Sequence, residues 1–383
     1  MKVTKGTLID WGQQAALLII VSTLFLYLGT NMSENIDSLG ITTGFGFLEE
    51  RAGYDITFSL IDYDQNDTYL RAYWVGVANT LLVSFMSIIF ATLLGFIVGV
   101  GRVSQNWIVS KLCRTYVELI RNVPLVIQLV WWYALFLSLP AVRNSISLAD
   151  DVYLSNRGLA VPHVSMNGWG VYILVALIVS FAFALAYRSY VYRRSQWLGF
   201  HPNIWPRFAL ITVSLPLLIL GINVINDNIV ISTPKLMGFN FQGGMTIIPE
   251  LVALSIALSV YSSSYIAEIV RGCIQSISSG QKEAGKALGF TDHNIMWKLI
   301  VPQAVYPMVP QITSVYLNII KNSSLGVVIG FMELVSSTGG TTLNNTGQAI
   351  ECILLVMGTY CIFSLITSLF MNWYNSRISI GKS

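Results

Sequence analysis

Eight stretches of this chain are too apolar and too long for a fold that lives in water. They cover residues 11–30, 75–101, 124–140, 170–187, 208–224, 248–270, 302–320 and 348–373. A helix needs about 20 mostly apolar residues to cross a bilayer. In hydrocarbon every backbone N–H and C=O must be paired, so runs of this kind are read as helices. The third and seventh are the weakest. Both are short, and the seventh holds Pro302, Pro307 and Pro310. Composition agrees: 11% of the 383 residues are charged, against roughly 25% in a soluble domain. The expected fold class is an all-α membrane protein with about eight transmembrane helices.

Basic residues set the sidedness. With both termini inside, 16 of the 22 Lys and Arg fall in cytoplasmic segments, among them Lys5, Arg102, Arg114, Arg193, Arg271, Lys282 and Lys298. Basic residues resist translocation, so this bias orients the chain. Eight spans satisfy it, whereas seven would place one terminus on the wrong side. The 31–73 loop then lies outside. It is acidic, with Glu34, Asp37, Glu49, Glu50, Asp55, Asp62, Asp64 and Asp67 against Arg51 and Arg71. Its "DYDQND" fails as a calcium loop: the sixth and twelfth places, which need Gly and Glu, hold Asp67 and Tyr73. A solvated external loop is the expectation.

Several function classes drop out. A net charge of +3 gives no reason to expect nucleic acid. Cys113, Cys273, Cys352 and Cys361 form no Cys-x-x-Cys pair, and His163, His201 and His293 are far apart, so neither a disulfide framework nor a metal site is supported. The terminal Gly381-Lys382-Ser383 mimics a P-loop end, but Ser376 stands where that motif needs Gly. No nucleophile elbow, zinc-protease motif or dinucleotide fingerprint is present. An intramembrane enzyme has no residue pattern pointing to it. The 11–30 run lacks a convincing cleavage site and reads as an anchor that stays.

One polar stretch keeps helical order: "SSGQKEAGKALGFTDHNIMWKLIVPQA", residues 278–304. Ala284, Ala287 and Leu288 share one helical face. Gly289 suits a left-handed cap, and Thr291 or Asp292 can start a second short helix. Pro302 then opens the next span. A plain connecting loop needs none of this order. Ala284 and Gly285 on an exposed shoulder suggest docking, against the alternative of a helix resting on lipid headgroups.

These residues resemble the coupling loop of ATP-binding-cassette importer permeases, whose pattern is Glu-Ala-Ala, three residues, Gly, nine residues, then Ile-x-Leu-Pro. Here it reads Glu283-Ala284-Gly285, Gly289 and Leu299-Ile300-Val301-Pro302. Gly285 and Val301 depart from the pattern. Residues 78–104, 116–129, 264–289 and 321–330 are similar to the polar amino acid branch, and the overall length to its general L-amino acid permeases. The resemblance implies a type I importer permease core in two parts, 73–140 and 249–375. An insertion at 141–248 would carry two extra spans, 1–72 an N-terminal helix and external loop, and 376–383 a cytoplasmic tail. It also implies a Gram-negative inner membrane, a cytoplasmic ATPase dimer that binds ATP and Mg, a second and non-identical permease subunit, and a periplasmic amino-acid-binding protein. This chain itself would hold no cofactor. Glu283, Ala284, Gly285, Gly289 and Pro302 would carry ATPase coupling.

Other residues are candidates for the path and its gate. Glu268 and Arg271 sit three apart on one helix face and can pair; Glu118 and Arg121 repeat the spacing. Either pair could anchor the inner interface or act as a gate or hinge. Lys321 in "KNSSLG", with Asn322 and Ser323, follows a proline-broken segment and precedes a short run suited to a re-entrant piece. A Lys at the bilayer centre costs about 2.5–3.5 kcal/mol, so it should face an acid, carbonyls or the translocation path, or else snorkel. Asn79, Thr80, Gln128 and Ser262 could line that path, although hydroxyls and amides often bond across helices instead. The rival reading is an ion-gradient-driven secondary amino acid transporter, which usually shows internal repeats; none is evident here.

Overall fold

The computed structural model describes residues 5–39, 43–165, 169–198, 204–225, 230–238 and 240–379. Lys2, His201 and the terminal Gly381-Lys382-Ser383 lie outside the described residues, as do the last four positions of the expected 376–383 tail. The chain divides into two compact units: Met1–Tyr133 with Ala253–Ser383, and Ala134–Val252.

The helices are α1 (Lys5–Leu39), α2 (Tyr69–Arg102), α3 (Trp107–Asn122), α4 (Leu125–Leu137), α5 (Trp169–Leu198), α6 (Trp205–Ile225), α7 (Pro249–Gln275), α8 (Ser279–Ala287), α9 (Asp292–Asn294), α10 (Val301–Asn322), α11 (Leu343–Thr346) and α12 (Ala349–Ser379). Among the described residues five runs are long and apolar enough to cross a bilayer: Trp11–Met32, Tyr69–Arg102, Pro249–Gln275, Asp292–Ile329 and Ala349–Ser376. Helices α3 and α4 pass together as a sixth span, bent by 102°. Eight spans were expected. The two in the insertion are represented by shorter apolar helices, Val175–Val191 and Pro206–Ile222.

The first unit is organised around α2. Ala91, Gly95 and Gly99 recur every fourth residue and turn one bare face towards α7. A Cβ on Gly95 would stand 2.6 Å from Ile266 Cβ, and one on Gly99 the same distance from Val270 Cβ. Without a hydrophobic drive between helices in lipid, small residues let backbones approach closely enough for dispersion to hold them. Ala91, Ile266, Val270, Ile274, Ile300, Ala304 and Ile319 form the buried core around that seam.

Helix α3 is an element that the expected spans, the third of which starts at Pro124, do not include. The Asn106 side chain caps it, accepting the N–H of Ile108 at 2.9 Å and of Val109 at 3.3 Å. Val117 buries against Val98 and Ala267. Pro124 then offers no N–H, and the break is bridged by Gln128: its Nε2 donates to the Ile120 and Val123 carbonyls at 2.8 and 2.9 Å. Orphan carbonyls at the end of α3 are thus satisfied from the first turns of α4.

After α10 the backbone stays irregular. Residues Ser323–Ile329 form 3₁₀ turns and Val335–Thr342 widened π turns before α11 and α12. Glu333 is fully buried and accepts the N–H groups of Val335 and Ser336 at 2.8 and 2.9 Å, so its carboxyl starts the π segment. The 43–68 loop is not merely solvated, as expected from its charge. It keeps acids such as Glu49 and Asp62 outside but buries Phe47, Ala52 and Ile56 with Tyr69, Ala72, Val75 and Cys352. Asp67 and Asp64 serve its turn, the Asp67 carboxylate accepting the Asp64 N–H at 2.8 Å.

The second unit holds α5 packed on α6, where Ser180 Oγ donates to the Thr212 carbonyl at 2.7 Å. It also contains strands that the all-α expectation did not foresee: β1 (Ile146–Ala149), β2 (Val152–Ser155), β3 (Gly158–Val161), β4 (His163–Ser165), β5 (Val230–Ser232), β6 (Lys235–Met237), β7 (Asn240–Gln242) and β8 (Met245–Ile247). They form an antiparallel sheet β1-β2-β3-β8 and the pairs β4-β5 and β6-β7. Strands of three or four residues hold too few alternations for a two-residue period to stand out.

Candidate functional site

The 278–302 loop is built much as its residues dictate up to Gly289. Helix α8 closes in a Schellman cap: Phe290 N–H reaches the Gly285 carbonyl at 3.1 Å and Gly289 N–H that of Lys286 at 2.9 Å. This needs a left-handed residue, and Gly289 has φ +78°. The Thr291 hydroxyl, of the two candidates, caps the restart by accepting the Asn294 N–H at 3.3 Å. Beyond that the structure departs from expectation. There is no separate second helix ending at Pro302. The chain passes from α9 through π turns at Ile295–Ile300 straight into α10, with Pro302 in its first turn. Pro302 has no N–H to give at this junction, while Val301 just before it still donates to the Met296 carbonyl.

Gly285 is also corrected. It does not lie on the exposed shoulder; it is buried against the π turns, where an added Cβ would stand 2.9 Å from Ile295 Cγ1. The face left open carries Glu283, Ala284, Ala287 and Leu288, the last 76% exposed, with Phe290 beside it. Asp292 braces this knob: its carboxylate meets Lys286 Nζ at 3.3 Å and Gln105 Nε2 at 3.3 Å, the latter from the α2–α3 turn.

Beside the loop stands a charge cluster. Glu268 pairs with Arg271 as its spacing implied, and the same carboxylate also binds Arg102. Arg102 was missed by the sequence reading; it is the last residue of α2, and its side chain is only 10% exposed. Arg121 does not pair with Glu118. It approaches Glu268 at 3.9 Å and lies over the Tyr265 ring, 5.0 Å from the centroid, a cation–π geometry. Among the described residues Glu118 has no ion-pair partner. One acid therefore gathers three guanidinium groups from α2, α3 and α7. A cleft of about 340 Å³, lined by Glu268, Gly272, Cys273, Ser276, Pro307 and Gln311, opens next to it.

The path candidates separate into two groups. Asn79, Thr80, Gln128, Ser262 and Ser323 are buried within the subunit. Asn79 donates to the Phe58 and Met332 carbonyls, and Thr80 accepts the Leu334 N–H at 3.1 Å, so both hold the irregular segment to α2. Ser323 donates to the Ile320 carbonyl. Asn322 is half-buried. Lys321 is exposed, and among the described residues nothing pairs with its ammonium.

The family model of binding-protein-dependent transport system inner membrane components matches residues 199–380, which include the whole knob. The general L-amino acid transport system permease protein AapQ of Rhizobium johnstonii is 40% identical over 96% of this chain and 91% of its own length. This chain belongs to the family of amino-acid ABC transporter permeases. YhdX of Escherichia coli is 42% identical to the permease over 97% of it and 94% of the relative. BztB of Rhodobacter capsulatus, a glutamate/glutamine/aspartate/asparagine transport system permease protein, is 35% identical over 95% and 93%. A crystal structure of an amino acid ABC transporter with histidines covers 81% of the permease and 95% of the solved chain, with 20% identity and a TM-score of 0.48. The permease is thus a membrane-embedded transport subunit, which sets aside the ion-gradient carrier weighed from the sequence.

Proposed function

We propose that this permease imports amino acids as one of two transmembrane subunits in a bacterial inner membrane, driven by a separate cytoplasmic ATPase dimer. The observation that carries the reading is the knob: an apolar, solvent-facing patch on a braced scaffold, next to an ion cluster that binds three helices together. Exposed apolar groups on a rigid support suit a groove in a partner protein. ATP and Mg belong to that partner. A periplasmic amino-acid-binding protein delivers cargo at the opposite end, and both termini lie in the cytoplasm. A second permease subunit is required because one subunit cannot enclose a path alone; the resemblance to the general L-amino acid permeases favours a related, non-identical chain over a second copy. The cargo is a range of L-amino acids, as the name of the Rhizobium relative suggests. When nucleotide closes the ATPase dimer, the knob moves with it, and the Glu268 cluster passes the motion to α2, α3 and α7. Lys321, exposed at the end of α10 and without a partner among the described residues, faces the path.

The test is Glu283→Lys. Glu283 is exposed on the knob outside the spans, so insertion and yield should be normal. ATP hydrolysis should persist while uptake by the reconstituted transporter falls. Normal uptake by this variant would refute the docking role.

A further inference from the structure

We propose that residues 43–68 form a strap that latches the irregular 330–346 segment over the end of the core, with Tyr54 and Asn79 as its positioning residues. This rests on the importer reading, because opening that end admits the cargo. The strap has no long regular element, and the segment beneath it has lost α-helical continuity, so neither holds itself. Each is held by the other and by α2. The Tyr54 ring lies between Tyr63 and Tyr69, at 6.4 and 6.3 Å between centroids. Its hydroxyl meets Thr342 Oγ1 at 3.0 Å and the Ser337 carbonyl at 3.5 Å. Tyr63 fixes the Tyr54 backbone by donating to its carbonyl at 2.8 Å. From below, one amide on α2 grips both partners: Asn79 Nδ2 donates to Phe58 of the strap at 2.8 Å and to Met332 of the segment at 2.9 Å. Gly44 N–H reaches the Glu351 carboxylate, in the first turn of α12, at 2.6 Å.

The chemistry of this seam suits a latch. Among the described residues no ion pair ties the strap to the segment; hydrogen bonds join them around an apolar cluster that takes in Phe47, Ala52 and Ile56 of the strap and Met332 and Leu343 of the segment. Neutral contacts of this kind can part and reform without stranding a buried charge. The closed state also carries a standing cost. Asn79 Oδ1, Ser84 Oγ and Thr338 Oγ1 are buried and have no hydrogen-bond partner. Unpaired buried polar atoms oppose the arrangement that buries them. Lifting the strap and the segment would let Asn79 Oδ1 and Thr338 Oγ1 meet water or a polar solute, which favours opening.

Cys352 is a native reporter, fully buried in the same cluster as Phe47, Ala52 and Ile56. In membranes holding the intact transporter, an impermeant maleimide is added to one side or the other, and the modified residue is found by peptide mapping. Tyr54→Phe keeps the ring and removes the hydroxyl; Thr342→Val removes the same bond from the other side. Each should speed Cys352 labelling about three- to tenfold, the factor that one net hydrogen bond supplies. The double variant should be no faster than either single one. Unchanged labelling in both single variants, while Tyr54→Ala strips the packing and exposes Cys352, overturns the latch. ATP, receptor and cargo together should accelerate wild-type labelling. If the resting effect of Tyr54→Phe is present and ATP changes nothing, the latch stands and the ATP-driven reading falls.

Discussion

The two ends of the α2-centred unit are held by different chemistry. At the Arg102 end, charge does the holding: Glu268 draws in Arg102, Arg271 and Arg121, and Asp292 braces the knob through Lys286 and Gln105. At the Asn79 end, neutral hydrogen bonds and aromatic packing do it. Charge-assisted contacts are roughly twice as strong as neutral ones. They suit a junction that must carry force without coming apart, whereas neutral contacts suit a closure that must open in every cycle.

Breaking the stronger end should therefore do most harm. Glu268→Ala leaves Arg102 nearly enclosed with no counter-charge. The loss is on the order of 2 kcal/mol, less than for a fully buried pair because the carboxylate is partly exposed. Uptake should be abolished and detergent stability lowered, as read by size-exclusion of the solubilised subunit. Leu288 is 76% exposed, so Leu288→Asp should leave stability nearly unchanged. ATPase retention in pull-down should weaken about thirtyfold, as for loss of an interface hot spot. Lys321→Leu should leave assembly intact and cut uptake about tenfold, the worth of one charge-assisted hydrogen bond to cargo. Assembly failing first would make Lys321 structural and blur the contrast. Gly285→Ala is the mildest. Overpacking against Ile295 should cost about 1 kcal/mol in thermal unfolding, and the same change should cost little in an Ile295→Ala background, which lacks the clashing Cγ1. An equal loss in both backgrounds would mean that the knob, not its packing, senses the methyl group.

What could be read from the sequence was local. The Gly289 cap, the Thr291 start and the Glu268–Arg271 pair each depend on residues within one or two turns, and each stands where the spacing put it. What escaped was set by distant partners. Arg102 reaches Glu268 across 166 positions, and Tyr54 reaches Thr342 across 288, so no periodicity could announce them. Gly285 was misread for the same reason. A small residue on an amphipathic helix looks alike whether it clears room for an outside partner or for Ile295. The run after Gly289 hid its continuity because Pro302 resembles a start signal, and π turns at Ile295–Ile300 have no sequence period of their own.

Helix α2 has 34 residues, a rod of roughly 51 Å at 1.5 Å per residue, set in an oily layer only about 30 Å thick. It is too long to be hidden, so one unbroken shaft has an end in each aqueous compartment. A tug on the guanidinium of Arg102 arrives at the amide of Asn79 without crossing a joint, so in the proposed mechanism the knob and the latch would share one shaft.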